Sequence, residues 1–267
     1  MRLKELHYLI PVDFTEAAYH AAQYALFLAK KAGGRITLVH ILDEENIPAA
    51  ANPVVVAKLI ERTEKIKQQK LAGLQDIIQT FGIEVQVRIL HGSFPETLLQ
   101  YIASTQPDVT VVARKSSSYS QLIAALLQNT CVHVLIVPGS SMPEVPHRAL
   151  VAADLSDTSR GFDMLVGLLV TMDQELALVH TDVAADDAAL QEKLIRIRTK
   201  FGVEARLIKN REPVRSNDIL QALERNPADW LCLVKKKQSN LFSRLIGSRR
   251  QEDITTQADV PVLVIRE

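Results

Sequence analysis

Three consecutive lysines, Lys235 to Lys237, follow an apolar run in the second half of the chain, and Arg244 and Gly247-Ser248 lie a short distance beyond them. Ammonium and guanidinium groups bind phosphate by charge, and backbone N–H groups of glycines can approach phosphate oxygens closely. A Gly-Ser pair that opens a helix adds the positive end of the helix dipole. Residues 233–248 therefore indicate a phosphate-binding loop, a loop that has partly lost this function, or a solvated basic turn.

Two aspartates, Asp13 and Asp154, each follow a short apolar run and precede a helical pattern. A carboxylate at such a place can bind a ligand or cap the helix that follows. Asp13 stands three residues before Glu16, which is the spacing of a capping box, so we expect it to cap the helix. Asp154 has the same two alternatives, and Ser156 is a competing cap.

No pattern in the chain supports catalysis or a metal site. His40, His91 and His180 end strand-like runs, but none has a second ligand at metal-binding spacing. Gly-x-Ser-x-Gly, HExxH, Walker A and GxGxxG stretches are absent. Cys131 and Cys232 show no CxxC spacing and lie in or beside apolar runs, so we expect buried, reduced thiols. We therefore predict no catalytic residue and no metal ligand.

The elements that must position these residues repeat along the chain. Leu-Val-His occurs at 38–40 and again at 178–180, and Asp13 lines up with Asp154. Five segments recur in the same order: 7–18 with 148–159, 35–41 with 175–181, 81–90 with 201–210, 106–115 with 226–236, and 132–138 with 260–266. Such a repeat predicts two copies of one domain.

The break between the copies falls at 138–147, which contains three prolines, a glycine and two serines. We predict one domain over 1–140 (the first copy) and a second over 147–267 (the second copy).

Each copy reads as alternating short strands and amphipathic helices, which is typical of βαβ units around a parallel sheet. In the first copy we predict strands near 7–12, 35–41, 83–90, 109–114 and 132–137, with helices over 15–32, 54–80 and 95–105. The second copy repeats this plan, with a helix at about 186–201. The fold class is therefore α/β, as two tandem doubly wound five-stranded parallel-sheet domains. Ligands in such folds bind beyond the carboxyl ends of the strands, which is where both aspartates and 233–248 fall.

The chain resembles the universal stress protein family in four features. These are the strand ending in PVDFT (11–15), the helix EAAYHAAQYALFLAKKAGG (16–34), the strand LVHI (38–41), and the last strands VHVLIVP (132–138) and VPVLVI (260–265). The resemblance implies the adenine-nucleotide α-hydrolase-like fold in each copy. In ATP-binding members the first strand ends in an aspartate that contacts the nucleoside. The fourth strand is followed by Gly-x-x-Gly, nine residues and then Gly-Ser or Gly-Thr.

The two copies depart from this pattern to different degrees. The second copy keeps the final pair, Gly247-Ser248, but Val234 and Lys237 stand at the two earlier glycine positions. The first copy reads ARKSSSYSQLI at 113–123 and has no glycine there. Val and Lys side chains occupy space that glycine leaves to a phosphate, so the pattern predicts loss of the phosphate cradle. Nucleotide binding by Asp13 in the first copy is not expected.

We expect a non-catalytic regulatory or stress-response protein with degenerate nucleotide-binding loops and no cofactor. The alternative is a switch in which the second copy binds ATP or a phosphorylated metabolite between Asp154, Lys237 and Gly247-Ser248. An adenylate-processing enzyme of the wider α-hydrolase-like group would carry a Ser-Gly-Gly loop after the first strand, and neither copy has one. Receiver-like and flavodoxin-like domains remain fold-level alternatives.

Family members associate through their last strands, so the resemblance implies that the two copies pair within one chain, with 132–137 and 260–265 near the junction. A homodimer of whole chains and an unidentified protein partner are further expectations. The 31 Lys+Arg balance the 31 Asp+Glu, which removes any global attraction to nucleic acid or to an anionic membrane. The start shows no signal peptide and no apolar run reaches a membrane span, so we expect a cytoplasmic protein.

Overall fold

The structure of the chain is a computed structural model, and it divides into two compact units. The first unit contains strands β1 to β4 and helices α1 to α4, and the second contains β5 to β10 and α5 to α8. The structure describes residues 5–43, 52–114, 117–129, 132–139, 146–153, 160–171, 175–180, 187–208, 216–235 and 254–266.

In the first unit, strands and helices alternate along the chain. The elements are β1 (His7–Pro11), α1 (Glu16–Ala32), β2 (Arg35–Leu42), α2 (Pro53–Gln79), β3 (Val85–His91), α3 (Glu96–Thr105), β4 (Val109–Arg114) and α4 (Ser117–Asn129). The strands are parallel in the spatial order β3-β2-β1-β4. The predicted helix over 54–80 is confirmed within one residue at each end.

In the second unit, β5 (His133–Pro138) comes first in the chain. It is followed by β6 (Arg148–Ala153), α5 (Arg160–Val170), β7 (Glu175–His180), α6 (Asp187–Phe201), β8 (Ala205–Ile208), α7 (Ser216–Arg225), β9 (Trp230–Lys235), α8 (Ile254–Gln257) and β10 (Val262–Arg266). The spatial order is β5-β10-β9-β6-β7-β8. All the pairs from β10 to β8 are parallel. The predicted α/β class with mostly parallel strands is confirmed.

Strand β5 comes from the first copy but lies in the second unit. It pairs antiparallel with β10, so that Leu135 faces Leu263 and Val134 faces Val264. The last strands of the two copies are therefore hydrogen-bonded to each other. The division at 1–140 and 147–267 stays a prediction of where each sequence copy begins and ends.

Helix α1 shows how the sequence positions the elements. Its buried face is built mainly of alanines, including Ala18, Ala21 and Ala25, and small side chains let a helix approach a sheet closely. The helix ends at Gly33, whose N–H donates to the carbonyl of Ala29 at 3.0 Å. The small side chains of one face and the glycine at its end thus fix both the packing and the length of α1.

The duplication is also visible in the hydrogen bonds. The backbone N–H of His7, the first residue of β1, donates to the Asp108 carboxylate at 2.8 Å, and the Asp108 N–H donates to the His7 carbonyl at 2.9 Å. Arg148, the first residue of β6, makes the same reciprocal pair with Asp229, at 3.0 and 2.9 Å. The two copies thus share the same reciprocal pair of hydrogen bonds, between the first residue of their first strand and an aspartate.

None of the helices that the structure describes is both long and apolar enough to cross a membrane. Cys232 is a buried free thiol, as predicted, and burial raises its pKa well above the ordinary value. Cys131 lies outside the described residues.

Candidate functional site

Asp13 lies two residues beyond β1, at the carboxyl end of the strand, and its carboxylate is engaged locally. Its Oδ1 accepts from the backbone N–H of Thr15 at 2.9 Å and from the Thr15 hydroxyl at 2.5 Å. The Thr15 Oγ1 in turn accepts from the N–H of Ala18 at 3.4 Å. Thr15 is therefore the N-cap of α1.

The prediction that Asp13 caps α1 is wrong, because the N-cap residue is Thr15. A capping box on Asp13 and Glu16 needs Glu16 as the third helical residue, but α1 begins at Glu16. The residue directly before the helix is then Thr15, whose short side chain reaches the N–H of Ala18. Asp13 acts on the cap residue instead, because its carboxylate accepts a hydrogen bond from the Thr15 hydroxyl.

Phe14 stands between these residues in the left-handed region, with φ of 64°. This conformation costs a non-glycine residue about 1–2 kcal/mol, so the surroundings must hold it in place. The Phe14 ring lies 4.8 Å from the ring of His40 between centroids, and the Nζ atoms of Lys67 and Lys70 on α2 lie 4.7 and 5.6 Å from its centroid. Both lysines are within cation–π distance. Helix α2 therefore contributes two cations to this edge of the first unit.

His40 lies near the end of β2 and is buried. Its Nδ1 donates to the Val12 carbonyl, with the two atoms 2.6 Å apart, since a carbonyl can only accept. Burial lowers the pKa of His40, and the charge of Lys67 acts in the same direction. The imidazole is therefore neutral at neutral pH. It links the end of β2 to the end of β1.

The connection between β4 and α4 is short. Strand β4 ends at Arg114 and α4 begins at Ser117. Close by, Gly139 follows β5, and a Cβ on it would lie 2.8 Å from the Arg114 carbonyl oxygen and 3.8 Å from the Ala17 Cβ. His20 of α1 donates from Nδ1 to the Gly139 carbonyl at 2.7 Å. Protein atoms thus fill the space beside the end of β4.

The corresponding edge of the second copy is described only in part. Strand β6 ends at Ala153, β9 ends at Lys235 and α8 begins at Ile254. The predicted ligands Asp154, Lys237, Gly247 and Ser248 all lie outside the described residues.

Sequence reasoning missed the roles of Phe14, His40, Lys67 and Lys70. Phe14 could have been found by its place beside Asp13 in the PVDFT stretch. The lysines carry no such signal, because their contact with Phe14 depends on how α2 packs. Within the described ranges, no three His, Cys, Asp or Glu side chains are grouped so that they could hold a metal ion.

Comparison with known proteins identifies this arrangement. Residues 7–138 match the model of the Universal stress protein family. The first copy is therefore a universal stress protein domain. No curated protein matches the chain in sequence.

Solved structures extend the likeness to the whole chain. A universal stress protein from Archaeoglobus fulgidus DSM 4304 superposes with a TM-score of 0.71 at 16% identity, covering 99% of both chains. A Pseudomonas aeruginosa UCBPP-PA14 protein described as a putative universal stress protein has a TM-score of 0.57 at 11% identity, covering 99% of this chain and 93% of its own.

A third structure, the cytoplasmic domain of a prokaryotic cation chloride cotransporter, has a TM-score of 0.55 at 12% identity, covering 98% of this chain and 95% of its own. At these identities the likeness concerns the fold. The universal stress protein fold therefore accounts for both copies of this chain.

Proposed function

We propose that the chain is a non-catalytic regulatory universal stress protein whose first copy does not bind nucleotide. The observation that carries this proposal is the connection from β4 to α4, where only residues 115 and 116 separate the strand from the helix. The loop of ATP-binding family members needs many more residues between these elements. The first copy has no room for it.

Two further contacts support the loss of nucleotide binding in the first copy. The Asp13 carboxylate that would contact a nucleoside already accepts two hydrogen bonds from Thr15. The backbone at Arg114 is in close contact with Gly139, which in turn accepts from His20. These contacts disfavour an ATP molecule in the position where ATP-binding family members hold it.

The contacts of His40 support the non-catalytic part of the proposal. His40 is the only titratable ring on this edge with a shifted pKa within the described residues, and its Nδ1 is committed to the Val12 carbonyl. A general base needs a nucleophile or a substrate proton within hydrogen-bond reach. The contacts of His40 instead serve to join two strand ends to Phe14.

The pairing of β5 with β10 supports a second part of the proposal. The two copies associate within one chain through their last strands, as single-domain relatives are expected to do between chains. A cytoplasmic location, a homodimer of the whole chain and an unidentified protein partner remain predictions beside it.

A second candidate function is a switch that binds ATP or a phosphorylated metabolite in the second copy. Here the chain runs 32 residues from Asp229 to Pro261, against 25 from Asp108 to His133 in the first copy, so the second copy has seven more residues for the family loop. Asp154, Lys237, Gly247 and Ser248 would supply the ligands. These seven additional residues are the observation that favours this candidate.

The test is ATP binding by the full chain, measured by isothermal titration calorimetry and by native mass spectrometry of freshly purified protein. Our proposal expects no bound nucleotide, or at most one per chain. Two ATP molecules per chain would overturn it.

Substitution of Lys237 tests whether a single bound ATP molecule lies in the second copy. If one ATP binds, Lys237→Ala should weaken it by more than tenfold, because a charge-assisted hydrogen bond contributes roughly 1.5–3 kcal/mol. Lys58→Ala, on the exposed side of α2, is the matched control and should leave the affinity unchanged. Hydrolysis of bound ATP by the wild-type chain would contradict the non-catalytic assignment.

A further inference from the structure

An open cavity of about 490 Å³ lies in the second unit, at the amino ends of β6, β7 and β8. Its size is within the range of small-molecule sites. The cavity is at the opposite ends of the strands from the edge where the family binds nucleotide. Its apolar lining includes Leu176, Ala177 and Ala205. Its charged lining consists of three arginines and two glutamates, which are Arg148, Arg206, Arg225, Glu175 and Glu204.

Both glutamates are already paired. The Glu175 Oε2 lies 3.2 Å from Nε of Arg148, and the same guanidinium donates to the Pro227 carbonyl at 3.0 Å. Glu204 Oε1 lies 3.2 Å from Arg198, which is not part of the cavity lining. Arg148 is thus held in place by two partners.

Arg206 and Arg225 differ from Arg148. Neither side chain makes a hydrogen bond or an ion pair with any residue in the part of the chain that the structure describes. Two guanidinium groups therefore line one cavity without an ion-pair partner among its two glutamates, which pair with Arg148 and Arg198. Their planar forks match the oxygens of carboxylate and phosphate groups, which they can bind in bidentate fashion.

The first copy shows that the fold does not require the arginine on β8. Arg206 lies opposite Ala177 of β7, in the register where Gln86 of β3 lies opposite Thr37 of β2. The same position in the first copy thus carries a neutral amide.

The arginine at the end of α7 is also particular to the second copy. Arg225 precedes Asn226-Pro227 at the end of α7, where Thr105 precedes Gln106-Pro107 at the end of α3. Both arginines without an ion-pair partner are therefore particular to the second copy, and they line one cavity. Two unrelated surface arginines would not be expected to line the same cavity.

We propose that this cavity is a binding site for a small metabolite that carries an oxyanion group, a carboxylate or a phosphate. Arg206 and Arg225 bind the oxyanion, and Arg148, fixed by Glu175 and Pro227, borders it. Leu176, Ala177 and Ala205 contact the apolar part of the ligand. The site is independent of nucleotide binding at the other ends of the strands.

The test uses the full chain and two probes, succinate and inorganic phosphate, titrated by NMR of the arginine side-chain Nε–Hε signals and by calorimetry. One probe should saturate with one molecule per chain, and the better probe identifies the oxyanion. The double variant Arg206→Gln/Arg225→Thr, which installs the residues of the first copy, should weaken it at least tenfold. Arg206→Lys, which keeps the charge but loses the planar fork, should show an intermediate loss.

Two controls separate this site from other cations. Arg88→Gln removes an exposed arginine of β3 and should leave binding unchanged. Lys237→Ala should also leave it unchanged, which distinguishes this cavity from the nucleotide edge. The inference is overturned if neither probe saturates, or if the double variant, shown to be folded by circular dichroism, binds as the wild type does.

Discussion

The carboxylate of Asp13 holds the hydroxyl of Thr15, which in turn caps α1. This short chain of hydrogen bonds places the end of β1 and the start of α1 in a fixed relationship. It also gives Asp13 a structural role that does not depend on a nucleoside ligand.

Thr15→Ala should lower the free energy of unfolding by about 1 kcal/mol, because the Ala18 N–H loses its cap. Thr15→Ser keeps the hydroxyl and should lose much less. Urea unfolding followed by circular dichroism measures both. Equal stability of Thr15→Ala and the wild type would show that the cap does not contribute to the free energy of unfolding.

Gly139→Ala should destabilise the protein by about 1–3 kcal/mol, because the new Cβ would lie 2.8 Å from the Arg114 carbonyl oxygen and force the backbone to move. Gly73→Ala is the matched control. Gly73 lies inside α2 and is exposed, and a Cβ on it would have no other atom within 4 Å, so alanine should stabilise the helix by up to about 1 kcal/mol. Urea unfolding should therefore show opposite signs for the two substitutions, and the same sign for both would contradict the contact at Gly139.

Stability should fall as the pH is lowered through about 6.5, the ordinary pKa of histidine. Burial lowers the pKa of both His7 and His40 in the folded state, so the unfolded chain binds protons first on acidification. The contribution of the two histidines to the free energy of unfolding then rises with pH between the lowered pKa values and 6.5, and that contribution is level above this window.

His40→Gln can still donate to the Val12 carbonyl but does not titrate. Urea unfolding at several pH values should give a shallower dependence for this variant than for the wild type. An unchanged slope would mean that His40 has the same pKa in the folded and unfolded chains.

The register of β5 and β10 can be tested by a disulfide. Leu135 and Leu263 face each other across the antiparallel pair, so their side chains lie on the same side of the sheet. Leu135→Cys with Leu263→Cys should form an intrachain disulfide on oxidative refolding, seen as a mass loss of two hydrogens and faster migration on a non-reducing gel.

The control pair is Leu135→Cys with Val264→Cys, because Val264 points to the opposite side of the sheet. It should not cross-link within the chain. A covalent dimer from the first pair would mean that β5 pairs with β10 of another molecule.

Most of the fold could be predicted from sequence, because strong local signals mark it. The helix over 54–80 and the alanine face of α1 follow from helical periodicity, and the glycines at 33 and 34 mark the end of α1. Because the chain is duplicated, the elements of the second copy could then be predicted by comparison with those of the first. What failed locally was the cap, since capping depends on the first helical residue, which periodicity leaves uncertain by a residue or two.

The sites were harder to predict because they are assembled from distant segments. Lys67 meets Phe14 only through the packing of α2. Arg206 and Arg225 reach one cavity through the parallel registers of the second unit, and no spacing in the sequence links them. The basic cluster at 235–237 was easy to see as a motif, and its role at the nucleotide edge stays a prediction.

The union of the two last strands within one polypeptide also has an evolutionary consequence. In an assembly of identical subunits every mutation appears on both sides of the symmetry axis, so neither subunit can specialise alone. A gene fusion removes that constraint and keeps the partners together at any dilution. One copy can then lose a ligand that the ancestral domain bound, while the other copy gains charged residues of its own. The covalent link keeps the two different copies together in every molecule.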